Sequence, residues 1–147
     1  MREILFRGKR VDNGEWVEGL FIHMNEYPEM WVPFTAEEME FFKGHIFEKT
    51  HGVWAKIDPE TIGQFTGLLD KNGKKIFEGD IVEYRRVANS EIIYKVIWQQ
   101  EWSRFAFMTC SAHGYNLYEW AERSKAEYMC EIIGNTHDNP ELLEVKK

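Results

Sequence analysis

The chain has 147 residues, 44% of them hydrophobic and 29% charged, with 22 aromatic residues and a net charge of -7. A chain of this size and composition buries a core without disulfides or metal, so a disordered, collagen-like or disulfide-scaffold protein is excluded. Residues 1–60 carry net -5 and residues 61–147 net -2, so neither part has the positive field that nonspecific DNA binding exploits.

Residues 1–23 read as a β-hairpin. Ile4-Leu5-Phe6 is an apolar run, and Asp12-Asn13-Gly14 is a turn whose Asn-Gly supplies positive φ. Beyond it Trp16, Glu18, Leu20 and Ile22 share one face, and Val17, Gly19, Phe21 and His23 the other. Both faces hold large apolar groups, so cover on both sides is expected. Residues 24–60 are otherwise irregular. A helix is expected after Thr35, with Glu38 completing a capping box and Gly44 as a stop. A strand pair is read around His51-Gly52.

Residues 61–84 hold the sharpest pattern. The β-like run Thr61–Leu68 leads to Asp70-Lys71-Asn72-Gly73-Lys74, a turn centred on Asn-Gly. A strand then follows over Ile76–Tyr84, with Gly79 and Asp80 holding its start. Ile92, Tyr94, Val96 and Trp98 alternate with Ile93, Lys95 and Ile97 as a strand, and Phe105–Met108 form another. The connection Gln99–Ser103 is polar. Trp98 and Trp102, beside Glu101, and Trp120, between Glu119 and Glu122, read as core packing or a protein interface. Leu117, Trp120, Ala121 and Ser124 fit helical spacing, which favours a short helix over 115–125. Glu131–Gly134 is the last strand, and Asn139-Pro140 starts a helical turn.

The expected fold is mainly β: an N-terminal hairpin with an irregular segment over 1–60, and a small SH3-type barrel over 61–147. One or two short helices complete it. No apolar run is long enough to cross a membrane as a helix, and MREILFRGKR lacks the apolar stretch of a secretory signal. Cys110 and Cys130 are therefore expected to be reduced thiols in a cytoplasm.

Three constellations could carry chemistry. Cys110, His113, Cys130 and His137 offer thiolate and imidazole ligands for zinc, but they form one tight pair plus two lone residues. Glu78 and Asp80 would share a face of an extended strand, as acid–base partners require, although a turn-holding Asp80 is the simpler reading. Lys71, Lys74, Lys75, Arg85 and Arg86 would make a basic patch if they converged. No nucleophile elbow, phosphate-binding glycine loop or calcium loop is present. No catalytic, cofactor-binding or metal-binding residue is assigned, and no cofactor is expected.

Three separated motifs resemble the YopX family. They are Glu3–Lys9, Ile62–Leu68 continuing through Asp70–Gly73 to Ile76–Val82, and Glu131–Asn135 followed by Asp138–Leu143. The resemblance implies a small phage- or prophage-encoded protein whose C-terminal part is similar to an SH3-type barrel. The family has no assigned catalytic residues. Residues 24–60 and 85–128 depart most from its pattern. The expected function is a noncatalytic protein-binding or assembly module in the host cytoplasm, able to form homo-oligomers. A nucleic-acid-associated replication or regulatory protein is the alternative, and a small enzyme the second alternative.

Overall fold

A computed structural model describes residues 3–22, 29–33, 52–86, 90–110, 116–120, 126 and 129–144. The protein is mainly β. Its strands lie in two antiparallel sheets, and helix among the described residues is almost limited to short 3-10 turns. The chain divides into two units, Ile4–Gly63 and Gln64–Lys147 with Met1–Glu3.

In the first unit, β1 (Phe6–Lys9), β2 (Trp16–Ile22), β3 (Glu29–Pro33) and β4 (Gly52–Lys56) run as an antiparallel meander. The first turn closes through Gly14 N–H to Arg10 C=O at 3.0 Å, with Gly14 at φ 71°. Asn13 Oδ1 accepts the Glu15 amide, so the Asn-Gly pair fixes the turn by both backbone freedom and side chain. Met30, Ala55 and Ile57 form the core, with Phe6, Val17, Val32 and Ile62 packed on it.

Glu18 and Leu20 stand exposed on the opposite face of β2, Leu20 at 54%. The expected cover on both sides is therefore absent there, because the described core takes only the Val17–Phe21 side. β3 also corrects the irregular reading of 24–60; its Pro33 sits at a strand end, where no ladder donor is needed. β4 pairs with β3, and the partner strand expected before His51-Gly52 lies outside the described residues. Beyond β4, a bridge between Arg10 and Ile57 draws the chain back to the first turn. Thr61 Oγ1 accepts the Lys9 amide and donates to Asp58 C=O, both at 2.8 Å.

At the first turn, Arg10 donates Nε to Asp12 Oδ1 at 2.8 Å and Nη2 to Oδ2 at 2.5 Å. This hydrogen-bonded guanidinium holds the Asp12 carboxyl below the usual carboxylate range. A depressed pKa gives stability that is full above the ordinary Asp value and is lost as pH falls through the lowered one. Carbon-detected NMR titration should find Asp12 with a midpoint below that of an ordinary exposed Asp, and Arg10→Ala should raise it. An unchanged midpoint in that variant would show that the pair does not persist in solution.

In the second unit, β5 (Gly63–Leu69) and β6 (Lys75–Phe77) form a hairpin. β7 (Asp80–Arg86), β8 (Ser90–Gln99), β9 (Arg104–Cys110), β10 (Asn116–Trp120) and β11 (Cys130–Asn135) form a five-stranded sheet in the order β10-β9-β8-β7-β11. Ile76, Val82, Tyr84, Tyr94, Val96, Phe107, Ala126 and Cys130 are its buried core. No closed barrel is found among the described residues; the five-stranded sheet ends at β10 and β11.

One helical expectation changes, and a second holds except for its cap. Residues 116–120 are a strand: Leu117 lies opposite Thr109, and Trp120 opposite Ala106. A five-residue run fits either period, and pairing with β9 decides it. The helical turn expected after Asn139 is present as a 3-10 turn, Pro140–Leu143, but the Asn139 side chain does not cap it. Asn139 Oδ1 instead accepts the Asn135 amide at 3.4 Å. The helix expected after Thr35 lies outside the described residues.

Candidate functional site

The β8–β9 hairpin begins as ordinary alternation and ends in exposed rings. Val96 and Phe107 point into the core, and Trp98 and Phe105 follow two residues on along the same face, toward the turn. Trp98 pairs with Phe105 across the strands and Gln99 with Arg104. The polar run Gln100–Trp102 then folds as a 3-10 turn, closed by Ser103 N–H to Gln100 C=O at 3.2 Å. Ser103 stands at φ 47°, the sole non-glycine residue at positive φ among those described. That conformation costs about 1 kcal/mol for a residue with a Cβ, and such outliers gather at functional sites.

The turn presents Trp102 at 68% exposure and Trp98 at 37%. Trp98 meets Phe105 edge to face, with ring centroids 5.0 Å apart at 70°. Its indole N–H donates to Gln100 Oε1 at 3.0 Å, which fixes the ring. The Arg104 guanidinium lies 5.5 Å from the Trp102 ring centroid, and its Nε donates to Gln99 Oε1 at 3.0 Å. Glu78 Oε1 accepts the Trp98 amide at 3.4 Å. Trp98 against Phe105 on one face of the hairpin, and Trp102 with Arg104 at its tip, thus form two held, solvent-facing aromatic groups. They offer stacking, cation–π contact and apolar burial, the contributions that hot-spot residues make in interfaces. Reading these tryptophans as core fails for Trp102; the distinguishing signal in the sequence is its place inside a polar turn.

The residues considered for catalysis have other occupations. Glu78 and Asp80 do not share an extended strand, because Gly79 at φ 84° turns the chain between β6 and β7. Asp80 is fully buried, and its Oδ2 accepts the Phe77 amide at 2.8 Å. His137 is exposed, in a turn whose amides at His137 and Asp138 donate to Asn135 Oδ1. Cys130 is buried in the core. No metal-binding cluster occurs among the described residues. His113 and the Cys110 side chain lie outside the description.

Two of the basic candidates are paired with carboxylates. Lys71 pairs with Glu131, and Lys75 with Glu3 at 3.2 Å. Lys75 also lies 5.7 Å from the Phe65 ring centroid. The side chains of Arg85 and Arg86 are outside the description. In the first unit, a cavity of about 400 Å³ is lined by Lys9, Arg10, Val11, Gly14, Asp58 and Pro59. Its volume suits a small ligand, but Arg10 is engaged by Asp12 and Asp58 Oδ1 accepts the Glu60 amide.

A family model described as "YopX protein" matches residues 5–144. Among solved structures, the crystal structure of protein EF1440 from Enterococcus faecalis is similar over 98% of this chain and 100% of that one. Its TM-score is 0.51 at 24% identity. That likeness concerns the fold alone. No curated protein matches.

Proposed function

The chain belongs to the YopX family, and we propose that it acts as a noncatalytic protein-binding or assembly module. The observation that supports this reading is the β8–β9 hairpin, where Trp98 and Trp102 are held open to solvent beside Phe105 and Arg104. Large rings kept at the surface lower binding free energy when a partner covers them. The noncatalytic part is supported by Asp80, which is used to bond backbone. The carboxylate pairing of Lys71 and Lys75 weighs against the nucleic-acid reading.

The proposal includes a phage or prophage origin and a place of action in the bacterial cytoplasm. It also includes an SH3-type arrangement in the second unit. Ties between the β5–β6 hairpin and the sheet support that arrangement: Lys71 N–H to Cys130 C=O, and Gly79 N–H to Val96 C=O, both 2.9 Å.

The test is quantitative affinity enrichment from a bacterial lysate. Three baits are compared: the unchanged chain, Trp98→Ala/Trp102→Ala, and a Leu69→Ala control at another exposed position. The reading expects a protein recovered by the first and third baits and lost with the second. Recovery indifferent to both tryptophans, or no specific protein recovered, would contradict it.

A further inference from the structure

We infer that the partner presents an arginine side chain to this hairpin, stacked on the Trp102 indole. The inference rests on the docking reading above and names the chemistry of what docks. The Trp102 ring already takes a guanidinium: Arg104 lies 5.5 Å from its centroid, while 68% of the residue stays open to solvent. The ring is therefore placed and oriented for cation–π contact, with surface left for a second cation. Arg104 itself is held to Gln99.

Charge favours the same occupant. Glu101 is exposed next to Trp102 in the chain, and Glu78 Oε1 sits at the Trp98 amide. The whole chain carries -7, which attracts a basic segment and repels an acidic one or a phosphate backbone. Arginine suits the site better than lysine, because a planar guanidinium stacks on an indole and still offers N–H donors to a carboxylate.

The experiment uses the full chain labelled with nitrogen-15. The indole N–H signals of Trp98 and Trp102 are assigned from Trp98→Phe and Trp102→Phe. The probes are three capped peptides of equal length with Arg-Gly, Lys-Gly or Glu-Gly repeats, and a single-stranded oligonucleotide. The arginine peptide should move the Trp102 signal saturably, the lysine peptide should bind about threefold more weakly, and the other two should leave it in place. Trp102→Ala should weaken the arginine peptide about fivefold, and Trp102→Phe should restore part of the loss. Leu69→Ala, at an exposed position away from the hairpin, should not weaken binding.

An unmoved Trp102 signal with the arginine peptide, or equal movement by the acidic peptide or the oligonucleotide, would overturn the inference. If lysate enrichment still depends on Trp102 in that case, only the arginine assignment falls. If enrichment ignores Trp102, the docking reading falls with it.

Discussion

Asp70→Ala should destabilise the second unit by about 3–5 kcal/mol. Asp70 is 2% exposed, and its carboxylate does two jobs. Oδ1 accepts the amides of Asn72 at 2.8 Å and Lys74 at 2.9 Å, which closes the β5–β6 turn. Oδ2 accepts the Ile132 amide at 3.2 Å, which ties that turn to β11 across 62 residues of sequence. Hydrogen bonds to a charged acceptor are the stronger kind, and alanine leaves all three donors without it. Asp70→Asn keeps one carboxyl-like oxygen and puts an amide where the second acceptor stood, so a loss of about 1–2 kcal/mol is expected. Urea unfolding should show the midpoint falling in that order with an unchanged slope. Equal, small losses in both variants would show that the tie to β11 does not form.

Gly8→Ala should cost about 2–3 kcal/mol through overpacking in the first unit. A Cβ on Gly8 would collide with Ile57 Cγ2 and stand 3.6 Å from Ile62 Cγ1. Ile57 is fully buried in the core and has nowhere to withdraw. Gly14→Ala is the informative contrast. Its Cβ would meet nothing within 4 Å, but φ of 71° makes the change cost about 1 kcal/mol from backbone strain alone. Gly8→Ala combined with Ile57→Ala should cost less than the sum of the two single changes, since the truncation clears the collision. Strict additivity would place the steric problem elsewhere.

Turns were the most legible part of the chain. Asn13-Gly14 and Asn72-Gly73 are both real turns, with their glycines at φ 71° and 78°. Each turn is set by residues within five positions, so local chemistry suffices. The strands around Tyr94, Phe107 and Ile132 were legible by alternation and β-branched content. Asp80 was legible as a turn holder, and its bond to the Phe77 amide matches that role.

What escaped depended on distant partners. β10 fits helix and strand periods equally, and only its register with β9 separates them. β3 looked irregular because its five residues make a strand only between β2 and β4. The bond from Asp70 to Ile132 is invisible locally for the same reason. Trp102 was hardest: an indole inside a polar turn reads as core or interface until its exposure is known.

Docking at the β8–β9 hairpin is most directly tested by hydrogen–deuterium exchange of the full chain, with and without the protein recovered by enrichment. The account predicts slower exchange on partner addition in residues 98–105, with the β2–β4 meander unchanged. Protection confined to the meander, where Leu20 and Trp54 are also exposed at 54% and 50%, with 98–105 unaltered, would contradict it.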